Sequence, residues 1–157
     1  GVTQGGFLNG PADQAQFRLP RGIAIDANDN LYIADTGNHR IRKITPDGTV
    51  TTLAGTGVLG LRDGVADEAR FREPTGIAVD ANGVVYVVDQ NNNSIRRVEP
   101  TGKVTTIAGD GTFGDSDGVG AAARFGTPEG IAIGPDGALY VTDLNNSLIR
   151  KIVVSQE

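Results

Sequence analysis

The chain has 157 residues, with 14 basic and 19 acidic side chains and a formal net charge of −5. That balance disfavours broad, non-specific nucleic-acid binding, which needs a strong positive field. There is no Cys, Trp or Met, so thiol chemistry is excluded, and no apolar run approaches the ~18 residues that cross a membrane as a helix. With 23 glycines among short Val/Ile/Thr runs, the composition is that of a turn-rich β protein.

The elements follow in chain order. Gly22–Asp26 (GIAID) is a short apolar run, and the turn signal ANDN follows it. Leu31–Asp35 (LYIAD) is a second run, closed by Thr36, Gly37 and Asn38. Arg40–Ile44 (RIRKI) alternates polar and apolar residues, as a half-buried strand does. Pro46–Gly48 (PDG) is a hairpin turn, and Thr49–Ala54 (TVTTLA) a fourth, more polar β run. A connector from Gly55 to Glu73 then leads into the next copy of the same pattern, and its ADEARF stretch has the character of one helical turn.

The copies are 54 residues apart, without insertions. Phe17, Phe71 and Phe125 keep this spacing, as do Pro20, Pro74 and Pro128, and Gly22, Gly76 and Gly130. So do Tyr32, Tyr86 and Tyr140; Asp35, Asp89 and Asp143; Asn38, Asn92 and Asn146; Arg42, Arg96 and Arg150. The repeats run over about 1–54, 55–108 and 109–157 in a single region. Four short antiparallel strands per repeat, most apolar first and most polar last, describe one blade of a β-propeller. The expected class is all-β, three four-stranded blades per chain. Ala15, Phe17, Ala69 and Phe71 are expected to plug the gaps between blades.

The pattern PxGIAxD…LYxxD…N…IRxxxPxGxVTTxAG resembles the NHL repeat, the unit of a six-bladed propeller family, over about residues 10 to 152. That resemblance implies the fold. It leaves function open among protein-binding modules, RNA-binding regulators and a few lyases. Three blades are half of six, so two chains are expected to close one ring as a homodimer. Val2, Thr3 and Gln4 are candidates for a strand exchanged between chains, against Ile152, Val153 and Val154 of the last repeat.

The recurring Asp, Asn and Arg suit a brace needed in every blade better than catalysis, which needs a residue once. His39, the single histidine, is expected to be a solvated loop side chain, with Asp35 its nearest acidic neighbour in sequence. The acidic loop Asp110–Gly118 could attract a cation, but loop solvation suits it better, and no catalytic residue, metal or cofactor is expected. One end of the blades carries residues that vary between copies: Arg21, Thr75 and Glu129; Thr36, His39 and Arg40; Gln90, Asn91 and Asn93; Leu144 and Asn145. This is the candidate face for a protein or peptide ligand, since binding residues sit on variable loops held by a rigid frame. The leading expectation is a non-catalytic scaffold. The alternatives are a metal-dependent lyase or lactonase, and an RNA binder using Arg18, Arg21, His39 and Arg40.

Overall fold

The computed structural model describes residues 5–154. Val2, Thr3 and Gln4 lie outside them. Strand β1 (Gly10–Pro11) comes first. Blade 1 is then built from β2 (Pro20–Ile25), β3 (Leu31–Asp35), β4 (Arg40–Ile44) and β5 (Thr49–Ala54). Blade 2 holds β6 (Pro74–Val79), β7 (Val85–Asp89), β8 (Ser94–Val98) and β9 (Val104–Ala108). Blade 3 holds β10 (Pro128–Ile133), β11 (Leu139–Asp143) and β12 (Leu148–Ile152), three strands among the described residues.

Each sheet is an antiparallel meander with the same register. Ile23 faces Ile33 and Ala24 faces Tyr32 in blade 1; Ile77 faces Val87 and Ala78 faces Tyr86 in blade 2. Each innermost hairpin has the same irregularity just after its proline, at Pro20, Pro74 and Pro128. Proline cannot donate to a ladder, and its place at the first residue of an inner strand follows.

The connectors do more than link blades. Gly10 and Pro11 pair with Val50 and Thr49, so β1 adds a fifth strand on the outer edge of blade 1. Gly64 repeats this on blade 2, exchanging both backbone hydrogen bonds with Val104. On blades 1 and 2 the preceding segment thus covers an otherwise bare outer edge, which limits edge-to-edge association. The expected helical turn in ADEARF forms, with Val65 O accepting from the N–H groups of Glu68 and Ala69. Its third copy, Gly120–Ala122, is a short 3₁₀ turn.

Two apolar clusters form the core, one at each junction. Tyr32, Ile41 and Ala54 of blade 1 meet Ile77, Val85, Val87, Val98 and Val104 of blade 2, with Ala69 and Phe71 between. Tyr86, Val88, Ile95 and Ala108 of blade 2 meet Leu139 and Val141 of blade 3, with Ala123 and Phe125 between. The Ala/Phe pair therefore plugs each gap as its spacing suggests. At the inner end the blades nearly touch. A Cβ on Gly22 would lie 2.1 Å from Thr75 O, and one on Gly76 would lie 2.4 Å from Glu129 O. Only glycine admits that approach, which explains why the inner strand opens with it.

Candidate functional site

Three ion pairs organise the blades from within. Arg42 Nη1 lies 2.6 Å from Asp35 Oδ2, and Arg96 Nη1 lies 2.6 Å from Asp89 Oδ2, with all four side chains fully buried. Arg150 Nη1 lies 3.1 Å from Asp143 Oδ2. The other carboxylate oxygen accepts from a backbone N–H, of Arg18, Arg72 or Gly126. The amides of Asn38, Asn92 and Asn146 donate to Asp35, Asp89 and Asp143 in turn. Each amide also donates to a connector carbonyl, of Gly6, Gly60 or Gly114.

The arginine fork completes the brace. Arg96 donates to Arg70 O, Arg62 O and Asp63 Oδ1 and lies over the Phe71 ring, 5.0 Å from its centroid. Arg42 does the same to Gln16 O, Leu8 O and Asn9 Oδ1. Arg150 reaches Arg124 O, Ser116 O and Asp117 Oδ1. A planar guanidinium with fixed donors suits this multiple capture, and a lysine does not. The connector is therefore tied to its blade by charge as well as by packing. Burial pushes the Asp89 carboxyl up to about 6, against the pull of Arg96, the Arg72 N–H and the Asn92 amide. It stays ionised at neutral pH. The recurring Asp, Asn and Arg are the structural brace expected of them.

At the end of the blades carrying the variable residues, β3, β7 and β11 each run into a 3₁₀ turn: Thr36–Asn38, Gln90–Asn92 and Leu144–Asn146. Each turn ends in a left-handed residue, His39, Asn93 or Ser147. Here the sequence reading needs correction. His39 is half-buried, and its Nδ1 accepts the Glu73 N–H of the next blade at 3.1 Å. Asn93 Oδ1 does the same for Thr127 N, also at 3.1 Å. The lone histidine is thus a junction brace as well as a loop residue in reach of solvent. Backbone N–H groups must find acceptors wherever blades meet, and a single repeat does not reveal that its neighbour supplies the donor.

The candidate face divides in two. Thr36, Thr75 and Gln90 are buried in the junctions; Thr36 Oγ1 donates to Pro74 O and Thr75 Oγ1 to Glu129 O. Arg21, Asn91, Glu129, Leu144 and Asn145 are exposed, and Arg40 and Asn93 are half-buried. Asn91 donates to the Glu73 carboxylate and Asn145 to Thr127 Oγ1, which rigidifies the loops. Arg40 lies over Phe7 at 3.7 Å from the centroid and donates to Thr56 O. Both border a hollow of about 380 Å³ with Thr52, Gly55, Thr56, Ala66 and Asp67. Of the four basic residues of the RNA reading, Arg40 is engaged by the Phe7 ring and Thr56 O.

In the acidic loop, Asp117 is taken by Arg150, and Asp110 accepts from Thr112 N at 2.8 Å. Among the described residues no cluster of three or more His, Cys, Asp or Glu could hold a metal ion.

The NHL repeat profile matches residues 17–44 and 125–152, and the Teneurin NHL domain profile matches residues 60–114. The chain belongs to the NHL-repeat family. As an NHL-repeat protein, it is 36% identical over 157 residues to the chloroplastic Protein SUPPRESSOR OF QUENCHING 1 of Arabidopsis thaliana, covering 92% of this chain and 15% of that relative. Among solved structures, an auxiliary nutrient binding protein from Bacteroides thetaiotaomicron VPI-5482 superposes with a TM-score of 0.73 at 29% identity. That match covers 82% of this chain and 36% of the other. A streptogramin B lyase superposes with a TM-score of 0.57 at 21% identity, covering 89% and 44%, and shares the fold alone. The chain spans only a minor part of each of these proteins.

Proposed function

We propose that this chain is a non-catalytic NHL propeller scaffold, two copies of which close one six-bladed ring. Its exposed loop end, with Asn91 and Asn145, receives a protein or peptide ligand. The observation that carries the ring is the state of equivalent residues at successive blades. Ile41 and Ile95 are 0% exposed, each covered by the next blade, whereas Ile149 of blade 3 is 70% exposed. On the opposite flank Ile77 is 7% exposed and its counterpart Ile23, in blade 1, is 64%. The same residue types are core at inner junctions and wet at both open flanks. Apolar patches of this kind mark interaction surfaces in soluble proteins.

The non-catalytic reading rests on the saturation of the repeated acids and bases. Asp35, Asp89 and Asp143 have both carboxylate oxygens engaged, so none is free to abstract a proton or hold a ligand. The relative solved with a nutrient-binding description is consistent with a binding role. Size-exclusion chromatography with light scattering, at low micromolar protein, tests the ring. A mass twice the 16.3 kDa of the chain is expected, and a stable monomer overturns the ring. Stoichiometric Ca²⁺ or Zn²⁺ in the purified protein would overturn the non-catalytic reading.

A further inference from the structure

We infer that the seam between two copies is a specialised junction, in which leucines and a pair of opposite charges stand where the inner junctions have polar or neutral residues. This rests on the ring reading and adds to it the residues that meet. The two inner junctions act as templates, because moving a contact on by 54 positions gives its counterpart at the seam. The Glu73 N–H bonds His39, and the Thr127 N–H bonds Asn93. The next member of the series places Leu19 N of one copy against the Ser147 side chain of the other. Thr36 reaches Pro74 O, so Leu144 lies against the counterpart Pro20. Thr75 reaches the backbone of Glu129, so the Glu129 side chain lies against Arg21.

At these positions the seam departs from its templates in one direction. Glu73 and Thr127 become Leu19, and Thr36 and Gln90 become Leu144. Leu19 is 70% exposed and Leu144 is 55% exposed. The backbone is left-handed at Leu19 (φ 49) as at Glu73 (φ 53) and Thr127 (φ 59), so the turn is the same in all three copies and only the side chain has changed. Polar junction residues have thus given way to leucine on both open flanks, where a lone chain would want the reverse. At the inner rim the two flanks carry opposite charges, Arg21 on one and Glu129 on the other, where the inner template has a neutral Thr75. Each flank therefore complements the other and repels its own kind. Head-to-tail pairing with a second copy satisfies both sets, and a two-fold ring contains the seam twice.

The test uses substitutions the fold already carries elsewhere. Leu19→Glu and Leu144→Gln install the residues that blade 2 has at the same positions, so the fold is kept. Each is expected to raise the dimer dissociation constant at least tenfold, read by analytical ultracentrifugation. Glu129→Arg and Arg21→Glu, which place like charges across both seams, are expected to weaken the dimer similarly at low salt. The double reversal restores it. A wild-type dimer that none of these variants weakens overturns this seam while the ring stands. So does a pair of charge reversals that fails to restore. A wild-type chain that is monomeric at 100 µM overturns both.

Discussion

Replacing Arg96 with methionine isolates the worth of the buried brace. Arg96 is fully buried in the middle blade, covered on both sides, and makes an ion pair at 2.6 Å with the equally buried Asp89. Methionine keeps much of the stem's packing on Phe71 but strands the carboxylate and takes the guanidinium from Arg62 O and Arg70 O, which keep only the backbone bonds they exchange with each other. Removing one partner of a buried pair costs about 3–5 kcal/mol. The lost guanidinium–carbonyl bonds add a little to that, and a carboxyl that takes up a proton recovers part of it, so a net loss of about 4 kcal/mol is expected. For a chain of this size that lowers Tm by roughly 8–16 °C. The assay is urea unfolding followed by circular dichroism, at one fixed protein concentration so that association does not alter the comparison. Arg96→Lys is expected to lose about half as much, because a point charge reaches Asp89 but not the connector carbonyls. As a counterpart, Asp117→Asn removes a partner of Arg150 whose side chain is 95% exposed, and a loss below about 1 kcal/mol is expected. A loss under about 1 kcal/mol for Arg96→Met, or equal losses at the two sites, would refute the assignment of the brace as the element that ties connector to blade.

Gly76→Ala places a methyl 2.4 Å from Glu129 O and 3.2 Å from Gly130 Cα, so the inner strands of blades 2 and 3 must part. A loss of about 1–3 kcal/mol is expected in the same unfolding assay, and an unchanged midpoint would show that the blades do not meet there. Acid sensitivity follows from Asp26. Burial raises its carboxyl, but hydrogen bonds from the Asn30 side chain and N–H, the Asn28 N–H and Tyr32 Oη outweigh this and hold it at about 2, below the ordinary 3.8. A depressed folded value adds stability that is present above pH 3.8 and disappears as pH falls from 3.8 towards 2. At this solvent-facing site the contribution is about 1 kcal/mol after screening. Asp26→Asn is therefore expected to flatten the unfolding profile over that window, and an unaltered profile counts against the hydrogen-bond set.

The sequence alone determined the blade. The 54-residue spacing, the apolar runs and the turn residues locate every strand from β2 to β12, because local periodicity and turn chemistry decide them. The recurrence of Asp35, Asn38 and Arg42 in each copy also pointed to a brace, because a residue needed in every repeat serves the repeat. Burial between blades could not be read in this way. Thr36 and Leu144 occupy the same place in the repeat, yet one is sealed and the other wet, since that depends on whether another blade packs against it. His39 escaped for the same reason: its partner, the Glu73 N–H, belongs to the next blade, 34 residues on. The addition of β1 to the outer edge was also hidden, because a two-residue pairing leaves no periodic trace. The repeat specifies the unit, and only the tertiary arrangement assigns a neighbour to each face.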